Sequence, residues 1–251
     1  MITKRIVPCL DVKDGKVVKG KQFENLNIIE DPVVMAKYYA NSLADELVFY
    51  DISASNENRK TVFDLAKEVA KEINIPFTIG GGINSIEDFD KALQSGADKV
   101  SINSSAIRTP ELITTASKKF GKQCVVLSID AKFENGKWMV YSKGGRKNEN
   151  MDVLTWAIIG EKLGAGEIVL NSINSDGEKN GFSEDIIKTL CENLSIPVIA
   201  SGGAGNMEHF LNVFKNTDVD AALAASVFHN KEIEIKKLKE YLKLNDIKVR
   251  L

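Results

Sequence analysis

The chain has little of what metal or disulfide chemistry requires. Its 251 residues include three cysteines, Cys9, Cys124 and Cys191, far apart and odd in number, and two histidines, His209 and His229. There is no C-x-x-C pair, so neither a disulfide framework nor a zinc site is indicated, and a reducing compartment such as the cytosol is the expected setting. Long apolar runs are missing too. Nowhere do about 18 apolar residues stand together, and only a short apolar run follows Met1–Arg5, so neither a membrane span nor a signal peptide is predicted. Charge of one sign is not in excess: Lys plus Arg number 33 and Asp plus Glu 35, a net −2. That gives no whole-molecule attraction to nucleic acid or membrane and confines any anion site to local features. Linkers and low-complexity segments are likewise absent.

What the sequence does have is repetition. Ile75-Pro76-Phe77-Thr78-Ile79-Gly80-Gly81-Gly82 is echoed by Ile196-Pro197-Val198-Ile199-Ala200-Ser201-Gly202-Gly203, an offset of 121 residues (196 − 75). Ala44-Asp45-Glu46-Leu47-Val48 is answered by Ala165-Gly166-Glu167-Ile168-Val169 in the same way. A period near half the chain is too long for a solenoid unit and suits two half-barrels, roughly residues 1–122 and 123–251. Strand-like runs fall near residues 5–11, 47–51, 76–80, 98–103, 123–130, 167–171, 197–201 and 220–225. Helical patterns lie between them near 32–43, 57–73, 85–95, 110–120, 152–163, 183–194, 206–215 and 232–243. Eight βα pairs in about 250 residues predict an α/β fold, a single (β/α)8 TIM barrel over 1–251, with a doubly wound open sheet as the competing topology. Residues 132–143 read instead as a β-hairpin turning at Asn135-Gly136, inserted after the fifth strand.

Asp11 and Asp130 each end an apolar, β-branched run. A strand that stops at a carboxylate delivers it to the rim where barrel chemistry is built, so the pair is a candidate general acid and base. The plain alternative is a turn cap at each, against which their symmetric recurrence argues. Gly80-Gly81-Gly82 follows the third strand and Gly202-Gly203 the seventh, while Asn103-Ser104 and Ala225-Ser226 follow the fourth and eighth. Such turns let backbone N–H groups approach an oxyanion, although each may equally be a tight connection. Two opposed cradles suit a ligand with a phosphate at each end and its reactive middle over Asp11 and Asp130. At the other rim, Arg5, Glu46, Lys99 and Glu167 stand at strand starts, two of each sign. The residues alone favour outward-turned solvent charges there; turned inward, they would form a plug or gate.

Taken together, Cys9-Leu10-Asp11-Val12-Lys13-Asp14-Gly15, Val17-Val18-Lys19-Gly20, Gly80-Gly81-Gly82-Ile83, Gly96-Ala97-Asp98-Lys99-Val100-Ser101-Ile102-Asn103 and Ile199-Ala200-Ser201-Gly202-Gly203-Ala204-Gly205 closely resemble the cyclase subunits of imidazole glycerol phosphate synthase over essentially the whole chain. The resemblance implies a lyase of histidine biosynthesis needing no cofactor and no metal. From ammonia and N′-(5′-phosphoribulosyl)-formimino-5-aminoimidazole-4-carboxamide ribonucleotide it would form imidazole glycerol phosphate and 5-aminoimidazole-4-carboxamide ribonucleotide. It assigns Asp11 and Asp130 to acid–base catalysis and Lys19 to a mobile loop over the ligand. One phosphate site would use Gly82, Asn103 and Ser104; the other, Gly177, Gly203, Ala225 and Ser226. Asp51, Asn171, Asp176 and Ser201 would lie around the same mouth, though Asp176-Gly177 also reads simply as a turn. Arg5, Glu46, Lys99 and Glu167 would form an ammonia gate. A glutaminase subunit would cover the amino-terminal face around these residues, Asp45 and Asp98.

The chain departs from the family pattern in places. Asn27-Ile28 replaces a common Arg-Asp, Asn171 and Ser104 replace threonines, and Glu178 stands where Thr is usual. An acidic residue beside a phosphate is costly unless it points away or Lys179 offsets it. Two alternatives remain open from sequence: a paralogue amidinating a sugar nucleotide for surface polysaccharide, and a non-catalytic bisphosphate-binding scaffold. Both cradles argue against the first, and both aspartates against the second.

Overall fold

Apolar runs that bury two faces alternate here with amphipathic stretches, and the chain folds accordingly into strands wrapped by helices. The computed structural model describes residues 3–21, 24–52 and 59–251, with the side chains of residues 19–21, 24–29 and 59–61 outside that description. The first half contains β1 (Arg5–Lys13), β2 (Lys16–Lys21), β3 (Glu24–Glu30), α1 (Pro32–Asn41), β4 (Leu47–Asp51), α2 (Arg59–Glu72), β5 (Phe77–Gly80), α3 (Ile86–Gln94), β6 (Lys99–Ile102), α4 (Ser104–Arg108) and α5 (Glu111–Phe120). The second contains β7 (Val125–Glu134), β8 (Lys137–Ser142), β9 (Lys147–Asp152), α6 (Val153–Leu163), β10 (Glu167–Ser172), α7 (Glu184–Asn193), β11 (Val198–Ser201), α8 (Met207–Asn216), β12 (Ala221–Ala224), α9 (Ser226–His229) and α10 (Ile235–Leu244).

Eight of these strands pair in parallel in the order β1, β4, β5, β6, β7, β10, β11, β12, and β12 returns to β1. The sheet is therefore a closed barrel with helices between its strands, not an open doubly wound sheet. Alternation along each strand sorts its side chains. Ile6, Leu10, Leu47, Phe49, Phe77, Ile79, Leu127 and Leu170 join the large cluster between strands and helices. Val7, Cys9, Val48, Val126, Val169, Ile199, Ala221 and Leu223 form a separate cluster inside the bore. Helix starts are fixed locally. Asp31 accepts from the N–H groups of Val33 and Val34 with Pro32 following, and Ser85 accepts from Asp88 N–H. α5 begins at Glu111, one residue after the start expected at Pro110, which instead occupies the cap position with a φ of −59° that already leads into the helix.

The hairpin expected after the fifth barrel strand is present as β7–β8, turning at Asn135 (φ 49°) and Gly136 (φ 76°), and β9 extends it to a three-stranded ribbon. The first half carries a counterpart where a loop is expected from the sequence. β1 runs on past the barrel, turns at Asp14 (φ 49°) and Gly15 (φ 75°), and pairs antiparallel with β2, which pairs with β3. Both turns are of the mirror-image type that an Asp-Gly or Asn-Gly pair favours.

Candidate active site

The inward alternation places Arg5, Val7, Cys9 and Asp11 of β1 one above another along the bore, and Val126, Ser128 and Asp130 of β7 likewise. Both aspartates thus stand on the bore side near the carboxyl ends of the barrel-paired stretches of their strands. Asp11 is aligned with Tyr50 of β4, and Asp130 with Asn171 of β10. The Cys9 thiol lies 3.9 Å from Asp11 Oδ1.

Asp130 is buried and held by neutral partners. Asn103 Nδ2 donates to its Oδ2 at 3.0 Å and Asn171 Nδ2 to its Oδ1 at 3.2 Å, while Ser201 Oγ donates to Asn171 Oδ1 at 3.3 Å. Burial pushes the Asp130 carboxyl up to about 6; the bonds from Asn171 and Asn103 pull it back, and the negative charge of Asp176 adds to the rise. Asn103 and Asn171, expected to face ligand, are therefore also the clamp that orients Asp130.

The glycine turns bring the strand ends into close register. Gly81 (φ 89°) and Gly202 (φ 91°) are equivalent in the two halves, and a Cβ on either would overlap the backbone carbonyl of Asp51 or of Ser172 at the end of the neighbouring strand. Beyond them Asn103 (φ −133°, ψ −91°) and Ala225 (φ −119°, ψ −75°) adopt nearly the same backbone shape ahead of α4 and α9. Gly82 O accepts from Asn84 Nδ2, whose amide oxygen accepts from Arg108. Ser104 Oγ accepts from the N–H of Lys143 in the β8–β9 turn at 3.0 Å, which ties the inserted ribbon to the first cradle. In the second cradle Gly181 N–H donates to Gly203 O at 2.8 Å. Gly177 (φ 76°) follows Asp176, whose N–H donates to Ser172 O, and Ser226 begins α9.

Three expected positions stand apart from this group. Asp51 is buried at the end of β4 on the alternation of Leu47 and Phe49, away from the bore. Lys19 lies on β2 opposite Asn27 of β3, so the segment after β1 is a ribbon; the side chains of Lys19, Asn27 and Ile28 lie outside the described residues. Lys179 is engaged by both carboxylate oxygens of Glu232 at 2.6 Å, so it is not positioned solely to offset Glu178.

At the opposite rim the four charges close a ring. Arg5 Nη1 meets Glu46 Oε1 at 2.5 Å and Arg5 Nη2 meets Glu167 Oε1 at 2.8 Å. Lys99 Nζ meets Glu46 Oε2 at 3.0 Å and Glu167 Oε2 at 2.8 Å. The side chains point inward, not to solvent as the residues alone favoured, with only 5–7% of the two glutamates exposed. Burial works against the Arg5 charge, and Glu167 and Glu46 outweigh it and raise its pKa. Between ring and aspartates the bore is lined mainly by apolar side chains.

Comparison with known proteins agrees with the fold. The family described as histidine biosynthesis protein matches residues 5–234. A protein of Flavobacterium johnsoniae is 53% identical over 251 residues, covering all of both chains; one of Bacillus subtilis is 54% identical over 252 residues, again covering all of both. A third, of Oceanobacillus iheyensis, is 55% identical over 251 residues and is covered over 98% of its length. Each of the three is an imidazole glycerol phosphate synthase subunit HisF. A barrel duplicated in this way, matched end to end by such relatives, belongs to the histidine biosynthesis protein family and, within it, to the HisF subunits of imidazole glycerol phosphate synthase.

Proposed function

We infer that the chain is the cyclase of the synthase, working in the cytosol. It adds ammonia to N′-(5′-phosphoribulosyl)-formimino-5-aminoimidazole-4-carboxamide ribonucleotide and releases imidazole glycerol phosphate and 5-aminoimidazole-4-carboxamide ribonucleotide. The observation that carries this reading is the Asp130 carboxyl, buried at the carboxyl end of the bore between two amides, with its pKa brought to about 6. Attack of ammonia on the ribulosyl carbonyl, loss of water from the adduct, cleavage and ring closure each move a proton at a different atom. A group whose pKa lies close to the working pH can take one proton and return it in the next step. Asp11, on the inward alternation of β1, acts as its partner across the ligand.

The phosphates sit at the two glycine turns, one at Gly82, Asn103 and Ser104 and the other at Gly177, Gly203, Ala225 and Ser226. Backbone N–H groups there hold the ends of the ligand, and Lys19, Asp176 and Ser201 border it. Ammonia comes from a glutaminase subunit docked on the opposite face, enters through the ring of Arg5, Glu46, Lys99 and Glu167, and travels up the bore. An apolar passage keeps it un-ionised, which matters because ammonium has no lone pair with which to attack.

The purified chain, given excess ammonium salt at alkaline pH, is expected to convert the ribulosyl substrate without any partner. Asp11→Asn and Asp130→Asn are expected to abolish turnover and leave substrate binding largely intact. A correctly folded wild type that converts nothing would refute the cyclase reading.

A further inference from the structure

Tyr50 has no part in the chemistry above, yet it lies across the route. It leaves β4 on the inward alternation and packs on the inner apolar cluster from the aspartate side. Its ring lies over Gly80 of β5, where a Cβ would overlap the ring carbons. The phenol oxygen stands 3.2 Å from Ser101 Oγ of β6, and Ser128 of β7 is near enough to pull the phenol pKa down. One side chain thus reaches from β4 over β5 to β6 and β7. Ser101 and Ser128 are themselves buried. Above this layer sits Asp130, close enough for its charge to act on the phenol. Beside and below it the bore is lined by Val7, Val48, Val126, Val169 and Ile199. Polar groups in such a place are costly unless paired, and Tyr50 and Ser101 pair with each other.

We propose that Tyr50, Ser101 and Ser128 form a hydroxyl latch at the top of the bore, opened by a neutral ammonia molecule that inserts into the Tyr50–Ser101 hydrogen bond. This rests on the reading that ammonia travels through the barrel. The chemistry selects for the neutral form. Ammonia accepts one hydrogen bond at its lone pair and donates through its N–H groups, so it can accept from whichever of the two hydroxyls donates and give a bond to the other, leaving neither group unpaired. Ammonium can only donate, so the hydroxyl that donated in the closed latch would lose its acceptor. Burial, with the nearby Cys9 thiol, pushes the phenol pKa up against the opposing bonds from Ser101 and Ser128, so Tyr50 keeps the proton that the exchange requires. Gly80 is the structural counterpart of the latch, because only a residue without a Cβ leaves room for the ring.

The test uses the complete synthase, with its glutaminase subunit, and compares product formed from glutamine with product formed from added ammonium salt, which reaches the substrate from the open mouth. Tyr50→Phe keeps the ring and removes the hydroxyl; Ser101→Ala removes its partner. Each is expected to lower the glutamine-driven rate relative to the ammonium-driven rate roughly two- to tenfold, the size of one lost hydrogen bond, with more free ammonia released per glutamine hydrolysed. The double variant should fall no further than the worse single one. Unchanged ratios in both single variants, or equal losses with both nitrogen sources, would overturn the latch. A wild type unable to use added ammonium would instead overturn the cyclase reading, and the latch with it.

Discussion

The two ends of the bore use inward positions on the barrel strands to opposite effect. At the amino-terminal end Arg5, Glu46, Lys99 and Glu167 are matched two against two, each cation touching both carboxylates. At the carboxyl-terminal end the Asp130 carboxylate, about as buried, is given amides in place of cations. An amide donates a hydrogen bond but brings no net charge, so it orients a carboxylate without cancelling the penalty of desolvation. The lower end is therefore electrostatically quenched, as the proposed closure requires. The upper end holds a carboxyl of about pKa 6, as the proposed acid–base chemistry requires. What separates a plug from an acid–base site is the charge of the partner, not the depth of burial.

The comparison breaks first at Asp130. Asp130→Asn is expected to lower turnover by about a thousandfold or more, measured with ammonium as nitrogen source, because it removes proton transfer at the reacting centre. The same substitution should stabilise the fold. A carboxyl whose pKa rises from 3.8 to about 6 on folding favours the folded state fully below 3.8 and loses that contribution as pH climbs through about 6. The wild type therefore gives up on the order of 2–3 kcal/mol at about pH 8 that the non-ionising variant retains. Thermal melts at about pH 8 and below pH 4 would test this; a variant no more stable at the higher pH would contradict it.

Unbalancing the quenched end should have the next largest effect. Glu167→Gln leaves two cations to one carboxylate and is expected to cost about 1–3 kcal/mol in a denaturant melt. Adding Lys99→Met restores the balance and should recover part of that loss. If the single and double variants are equally destabilised, the ring is not acting as a balanced set.

Sharper and smaller effects come from pH and from the clamp. The ammonium-driven rate, corrected for the fraction of free ammonia, is expected to bend near pH 6 and fall toward acid as Asp130 becomes protonated and loses its capacity to accept. Asn171→Thr, which restores the residue common in the family, should remove one bond to the ionised carboxylate and move that bend upward by roughly half to one unit. A bend that stays in place, or moves down, would show that Asn171 does not bond the charged form in solution.

Much of the fold was legible because the strands are apolar on both faces while the helices show one apolar stripe. The expected runs near 47–51 and 167–171 coincide with β4 and β10 to within a residue, and the helix expected near 152–163 is α6 from Val153 to Leu163. The ribbon β2–β3 was missed although Asp14-Gly15 carries the same turn signal as Asn135-Gly136, because its flanking residues mix Lys with Val and read as a loop. In the site, the aspartates, glycine turns and four charges could be picked out residue by residue. Partners could not. Asp45 was expected on a docking face, but it is buried, paired with Lys239 at 2.8 Å and accepting from Ile6 N–H. Tyr50 gave no signal at all, since an aromatic at a strand end usually means core packing.

The order of elements, the two-fold repeat and the placing of carboxylates at strand ends were determined by sequence alone, since periodicity, turn residues and strand length are local properties. Closure decided the rest. Only when β12 meets β1 do positions far apart in the chain share one narrow bore, and only there do Glu46 and Glu167 find the same Arg5, Asn103 and Asn171 the same Asp130, and Tyr50 the hydroxyls of Ser101 and Ser128. A pKa or an ion pair is set by what stands within a few ångströms, and in a barrel those neighbours come from other strands.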